Sequence, residues 1–194
     1  PLLTSKRTFI RGIIEEMLFF VSGSTDCTKL QEKGIHIWDG NTTREFLDNR
    51  GLNHLPVGDM GAGYGFQWRY FGTEYKDCKT DYTGQGYDQI ANAINLIKKN
   101  PQSRRILISG WNPPDLPKMA LPVCHTVYQF YVNVDKKELS CLLYQRSSDY
   151  FLAANYNSTG AIILTHMLAH ICGLETGEFT HFLGDTHVYS NHIE

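Results

Sequence analysis

Apolar side chains recur at Phe9, Ile13, Ile14, Met17, Leu18 and Val21, the spacing of three or four that lays one stripe along a helix. A helix is therefore expected over residues 9–21, stopped by Gly23 and Ser24. Glu16 falls among its apolar positions, where the ordinary explanation is a helix-edge carboxylate with its head in water. Short helical stretches follow over 26–33 and 43–49, then a glycine-dense loop over 58–65. The run Gly61-Ala62-Gly63-Tyr64-Gly65 lacks both the spacing and the leading strand of a dinucleotide-binding turn. Ile90, Ala93, Ile94 and Ile97 mark an amphipathic helix over 88–99, ended by Asn100-Pro101, and Arg104-Arg105 lead into a strand over 106–109.

Pro113, Pro114, Pro117 and Pro122 crowd the next loop. Alternating patterns over 127–134 and 139–146 flank Asp135-Lys136-Lys137-Glu138 and read as a β-hairpin. Pairing Val134 with Leu139 sets Cys124 opposite residues 147–149, and a slip of one residue changes which side chain faces the thiol. Residues 161–171 are nearly all apolar and read as a buried helix, and 179–189 as a last strand. With no repeat and no internal linker, residues 1–194 read as a single α+β domain.

At 194 residues, with 42% apolar and 20% charged side chains, the chain has material for a sizeable core. Its 18 basic and 20 acidic side chains leave a net charge of −2, so no global field steers it onto nucleic acid or an anionic membrane. Any anion must be met locally. The longest uninterrupted apolar run, 17–21, is far short of the ~20 residues that cross a bilayer, and a soluble protein is expected. The five cysteines form no CxxC pair and no zinc spacing, which fits free thiols in a reducing cytosol and a cytoplasmic location. The start at Pro1-Leu2-Leu3, without an initiator Met, reads as a cut through a longer protein.

Cys124 is the leading nucleophile candidate, because it lies where a proline-rich loop hands over to a strand and the adjoining strand supplies Arg146. The alternative is a small buried hydrophobe, the reading given to Cys141 and Cys172. Cys27 and Cys78 fall in polar segments and read as exposed. His125 follows Cys124 directly, but successive side chains on a strand point to opposite faces, which makes it a poor proton-transfer partner. His166 and His170 have zinc-helix spacing without the catalytic Glu. Arg104, Arg105 and Arg146 stand at strand ends, where a guanidinium can fork onto phosphate oxygens. Ser147, Asn157, His187 and Tyr189 add donors and acceptors suited to a base and a sugar, and Trp38, Tyr64, Trp68 and Trp111 could stack on a flat ring or simply fill the core. The inventory suggests a small phosphorylated planar ligand.

Leu121-Pro122-Val123-Cys124-His125, then Gln129-Phe130-Tyr131, then Leu143-Tyr144-Gln145-Arg146-Ser147-Ser148-Asp149 resemble the thymidylate synthase family. The resemblance extends over almost the whole chain, through residues 1–7, Glu15-Glu16-Met17-Leu18, Ile37-Trp38-Asp39, Tyr64-Gly65-Phe66-Gln67-Trp68-Arg69, Arg104-Arg105-Ile106, Trp111-Asn112-Pro113 and Gly184-Asp185-Thr186-His187-Val188-Tyr189. It implies a mixed β-sheet covered by helices and reductive methylation of dUMP to dTMP. The co-substrate would be 5,10-methylenetetrahydrofolate, with no metal.

By the same resemblance Cys124 would add to C6 of the uracil and Glu16 would relay protons through water, with Tyr64 on the proton-relay side. Arg146 and Ser147 would hold the phosphate, with Arg104 and Arg105 reaching over from the partner of a homodimer, and Ser148 and Asp149 would also belong to the dUMP site. Gln145 would support the nucleotide pocket, Asn157 would bond the uracil edge, and His187 and Tyr189 the sugar hydroxyl. Asp149 would meet the pterin, and Ile37, Trp38, Asn41 and Leu152 would shape the folate side. Many family members have Gly-x-Pro where this chain has Ala153-Ala154-Asn155 ahead of Tyr156-Asn157, so folate packing there is expected to differ. The family's N-terminal arginine loop and C-terminal closing segment fall outside the 194 residues, so the domain reads as truncated at both ends. Rival readings are a pyrimidine hydroxymethylase of the same fold, a thiol hydrolase using Cys124 and His125, and a non-catalytic nucleotide-binding fragment.

Overall fold

In the computed structural model, which describes residues 7–193, the first apolar stripe forms helix α1 (Ile10–Val21). Its inward positions are Ile13, Met17, Phe19 and Phe20, while Ile14 and Leu18 turn outward. The motif residues 1–6 lie outside the described residues. Contacts divide the described residues into two compact units, one built from residues 15–90 and 109–123, the other from residues 7–14, 91–108 and 124–193.

The first unit is helical. It holds α2 (Thr28–Gln31), α3 (Arg44–Asn49), α4 (Tyr64–Tyr70) and a 3-10 turn at Pro113–Lys118. Thr43 caps α3 by accepting from the backbone N–H of Phe46 at 3.1 Å, satisfying one of the donors that every helix start leaves open. One buried cluster joins Leu47, Leu52, Leu55, Ala62, Phe66, Tyr75, Tyr82 and Ala120. A second forms around Phe20, with Tyr64 stacked on it at 4.6 Å and Trp68 and Trp38 edge-on at 5.8 and 6.3 Å. Helix α4 occupies the end of the expected loop because Tyr64, Gly65, Phe66, Gln67 and Trp68 are all buried; a helix covered on every side carries no amphipathic signature. Gly65 permits this, since a Cβ there would stand 2.6 Å from the carbonyl oxygen of Phe20.

The second unit carries the sheet. Its strands, β1 (Leu107–Ser109), β2 (His125–Asn133), β3 (Glu138–Asp149) and β4 (Glu175–His187), lie in the order β1-β2-β3-β4. Strands β2 and β3 are antiparallel and β3 and β4 parallel, so the sheet is mixed, as expected. The parallel pair needs a crossover, supplied by α6 (Ala154–Cys172), which packs on β3 and β4. Helix α5 (Gln89–Lys99) carries the chain from the first unit into the second.

Alternation along the strands buries Tyr128, Phe130, Val132, Leu139, Cys141 and Leu143 on one face. The other face leaves Leu107, Tyr131, Leu142, Tyr144 and Phe182 exposed, Tyr131 by 65%. Helix α6 begins at Ala154 rather than 161 and ends on Gly173 in the left-handed conformation, φ 71°, a backbone state that costs glycine little.

Candidate active site

The hairpin pairs Val132 with Leu139 and Asn133 with Glu138, so the expected pairing of Val134 with Leu139 is corrected by two residues. Lys137 takes a positive φ of 54° in the turn, and residues 134–137 all go into the loop. At the other end a bulge between His125 and Val127 shifts the register again. Cys124 therefore lies opposite Arg146 rather than 147–149: the Arg146 N–H donates to the Cys124 carbonyl at 3.0 Å. The two irregularities bring the Arg146 Nη2 to 3.7 Å from the Cys124 Sγ, and a positive charge at a thiol stabilises its thiolate.

The five cysteines form no disulfide, and the thiols of the other four are all raised by burial. Burial pushes the Cys141 thiol up to about 12 and raises Cys172. Cys27 is 1% exposed and Cys78 partly buried, correcting the expectation that both are open to water. Burial together with the charge of Asp59 raises both thiols, Cys78 to about 12.

Asn157, in the first turns of α6, donates from Nδ2 to the buried Nε2 of His125. The other ring nitrogen of His125 meets the Tyr128 hydroxyl at 3.1 Å. Burial, with a smaller repulsion from His181, pushes His125 down to about 3 and keeps the ring neutral. Nε2 therefore accepts, and the proton resides on Nδ1. Asn157 Oδ1 is buried and has no hydrogen-bond partner among the described residues, as is Ser148 Oγ; both are polar atoms that a ligand can satisfy.

Gln145 is 1% exposed. Its Nε2 donates to the Ser147 carbonyl at 2.8 Å, and its Oε1 meets His181 Nε2 at 3.0 Å. His181 Nδ1 in turn meets Ser158 Oγ at 2.8 Å. Sequence reasoning passed over His181 entirely; the available signal was a histidine in step with the partly buried Phe179 and Leu183 along a strand.

Ser147 and Asp149 are in register with Asp185 and His187 of β4. The His187 ring meets the Asp185 carboxylate at 3.2 Å, and Tyr189 packs edge-on to His187 at 5.3 Å. Asp149 accepts from the Leu152 N–H at 3.0 Å, leaving Leu152 49% exposed. Arg104 and Arg105 are exposed, and Arg104 lines an open cavity of about 480 Å³ on the bare sheet face with Gln129, Tyr131, Leu142 and Glu178.

In the helical unit, Trp38 Nε1 donates to Glu16 Oε1 at 2.8 Å. Burial pushes Glu16 up to about 7, with the Trp38 hydrogen bond pulling partly the other way; the helix-edge residue is partly withdrawn from water. Ile37 is 39% exposed and Asn41 partly buried. Tyr64 and Trp68, 3% and 0% exposed, are core rings, and Trp38 at 8% is nearly so.

A raised carboxylate has a consequence for stability. The unfolded value of Glu16 is near 4.5, so its favourable contribution is whole below that pH and is lost as pH rises through about 7. Glu16→Gln removes the titration. Its unfolding free energy should match the unsubstituted protein at pH 4 and exceed it by up to about 3 kcal/mol at pH 9. Urea melts at the two pH values check this, and an equal difference at both contradicts it.

Among the described residues no three His, Cys, Asp or Glu side chains gather to hold a metal ion, and no described helix is long and apolar enough to cross a membrane. The thymidylate synthase family model matches residues 1–194. The chain is 54% identical over 199 residues to a probable thymidylate synthase of Schizosaccharomyces pombe, covering all of this chain and 32% of that protein. It is 54% identical over 209 residues to the thymidylate synthase of Candida albicans, covering all of this chain and 66% of that one. Against the bifunctional dihydrofolate reductase-thymidylate synthase of Zea mays identity is 55% over 193 residues, 100% of this chain and 37% of the relative.

Proposed function

Because the chain belongs to the thymidylate synthase family, we propose that the full-length protein converts dUMP to dTMP by reductive methylation. The observation that carries the reading is the pairing of the Cys124 thiol with the Arg146 guanidinium at 3.7 Å. Cys124 adds as thiolate to C6 of the uracil, and the displaced ring electrons make C5 nucleophilic. When bound, 5,10-methylenetetrahydrofolate supplies the carbon and the hydride and leaves as dihydrofolate. Glu16 takes the C5 proton through water, a task matched by a carboxyl titrating near neutral pH. Expulsion of the Cys124 thiolate then restores the C5–C6 double bond.

The orphaned Asn157 Oδ1 suits the uracil N3–H, and the second hydrogen of its Nδ2 suits O4. Arg146, Ser147 and Ser148 hold the phosphate, Gln145 braces that segment, and His187 and Tyr189 take the sugar hydroxyl. Asp149, Leu152, Ile37, Trp38 and Asn41 form the folate side; the exposed apolar Ile37 and Leu152 fit a ligand with flat aromatic rings. The bare sheet face of Tyr131, Leu142, Tyr144 and Phe182 suits a homodimer interface. Arg104, beside the cavity on that face, and Arg105 would then serve the partner's phosphate site.

The test is product identity with the full-length protein, dUMP and methylenetetrahydrofolate. The expected products are dTMP and dihydrofolate. A 5-hydroxymethyl nucleotide with tetrahydrofolate assigns the protein to the hydroxymethylase alternative, and no product at all overturns both.

A further inference from the structure

A polar line runs through the sheet unit, and two of its members, Ser158 and His181, have no role assigned above. Ser158 Oγ meets His181 Nδ1 at 2.8 Å, His181 Nε2 meets Gln145 Oε1 at 3.0 Å, and Gln145 Nε2 donates to the Ser147 carbonyl at 2.8 Å. Its proton positions follow from the fixed end. The Ser147 carbonyl can only accept, so the Gln145 amide must present its NH2 there and its oxygen to His181. That oxygen can only accept as well, so His181 carries a proton on Nε2. Partial burial keeps the ring neutral, which leaves Nδ1 to accept from the Ser158 hydroxyl. Reversing any one member sets two acceptors or two donors face to face.

The two ends of this line matter. Ser158 is the neighbour of Asn157 on α6, while Gln145 and Ser147 flank Arg146 on β3. We propose that His181 is a positioning residue of the nucleotide site, bracing from β4 the amide that reads the base against the strand that holds the phosphate. This rests on the nucleotide reading given above. His181 touches no reacting atom; it acts through Gln145, whose amide it prevents from turning. Without the Nε2–H donor, Gln145 is released at one end, and the Arg146-Ser147 segment loses the support that keeps it in step with Asn157. The expected signature is a weaker grip on dUMP, with chemistry after binding little changed.

Two substitutions separate positioning from packing. His181→Gln retains an amide N–H near the position of Nε2 and can still donate to Gln145. His181→Asn is too short for that and retains only an acceptor for Ser158. Both remove the ring. In the full-length protein, dUMP titration calorimetry should show about a tenfold weaker Kd for His181→Asn, the effect of one lost hydrogen bond to a buried amide. His181→Gln should return to within about threefold. The KM for dUMP should follow the same order, with kcat changed less.

Equal weakening by both variants, or none by either, overturns the proposal while leaving the nucleotide reading standing. Failure of the unsubstituted protein to bind dUMP overturns that reading and the positioning role with it. A readout that needs no ligand is the histidine tautomer, seen by NMR of the full-length protein with 15N-labelled imidazoles. An Nε2–H signal for His181 is expected, and an Nδ1–H signal contradicts the proposal whatever the protein binds.

Discussion

Replacing Cys124 by Ser should lower turnover of the full-length protein on the order of 10⁴-fold, because an alcohol offers almost no anion near neutral pH. The geometry makes the effect specific to one sulfur. Cys124 has the Arg146 guanidinium at 3.7 Å, whereas Cys141 is buried and its thiol is pushed up to about 12. Cys172 lies at the end of α6 with its thiol raised by burial. Ser at either of those positions should leave turnover within a few-fold once any loss of stability is allowed for. Steady-state kinetics on the three variants, with circular dichroism to verify folding, check this. A Cys141→Ser or Cys172→Ser protein that folds but has no activity contradicts the assignment.

Asn157→Asp should exchange uracil for cytosine as the preferred base. An amide accepts from the uracil N3–H and donates to O4, while cytosine presents a bare N3 and an amino donor. A protonated carboxyl matches the second pattern. The surroundings can follow the exchange: the neutral His125 ring accepts from Asn157 Nδ2, and moving its proton from Nδ1 to Nε2 lets it donate to a carboxyl oxygen instead. The Tyr128 hydroxyl at its other nitrogen can either donate or accept. Sites that hydrogen-bond a polar edge reject a mismatched edge by factors up to roughly 10⁴, so the dUMP-to-dCMP preference should fall by that order. Tritium release from C5 of each nucleotide measures it. An unchanged preference moves base selection to ordered water or backbone groups.

The hairpin, the crossover helix and a nucleophile candidate were legible from residue patterns because each rests on local information. Alternation and turn residues mark β2 and β3, and Cys124 stands at a loop-to-strand junction. Register was not legible. It depends on a four-residue loop with Lys137 at positive φ and on a bulge after His125, and neither leaves a trace in the alternation. Helix α4 escaped because burial on all sides erases periodicity, and the start of α6 because Asn155, Asn157, Ser158, Thr159 and Gly160 are weak helix formers.

The place of Glu16 among apolar positions was visible as an oddity, but its raised carboxyl depends on burial in the surroundings it folds into, offset in part by the hydrogen bond from Trp38, 22 residues away. His181 is a harder case still. Its hydrogen-bond partners come from two other elements, α6 and β3, and the parallel pairing of β4 with β3 brings it beside Gln145. The role of His125 was half legible: strand geometry argued against proton transfer with Cys124, and the ring instead holds Asn157.

The central claim is that Cys124 bonds to the uracil ring while Glu16 removes the C5 proton. A uracil nucleotide with fluorine at C5 has no proton to lose there, so the sequence should stall after the thiolate has added. The full-length protein is incubated with 5-fluoro-dUMP and methylenetetrahydrofolate, digested, and its peptides weighed by mass spectrometry. The account predicts a peptide containing Cys124 that carries the nucleotide, and no such peptide from Cys124→Ser. Nucleotide attached to any other cysteine, or an unmodified Cys124 peptide under conditions where the protein turns over dUMP, would contradict it.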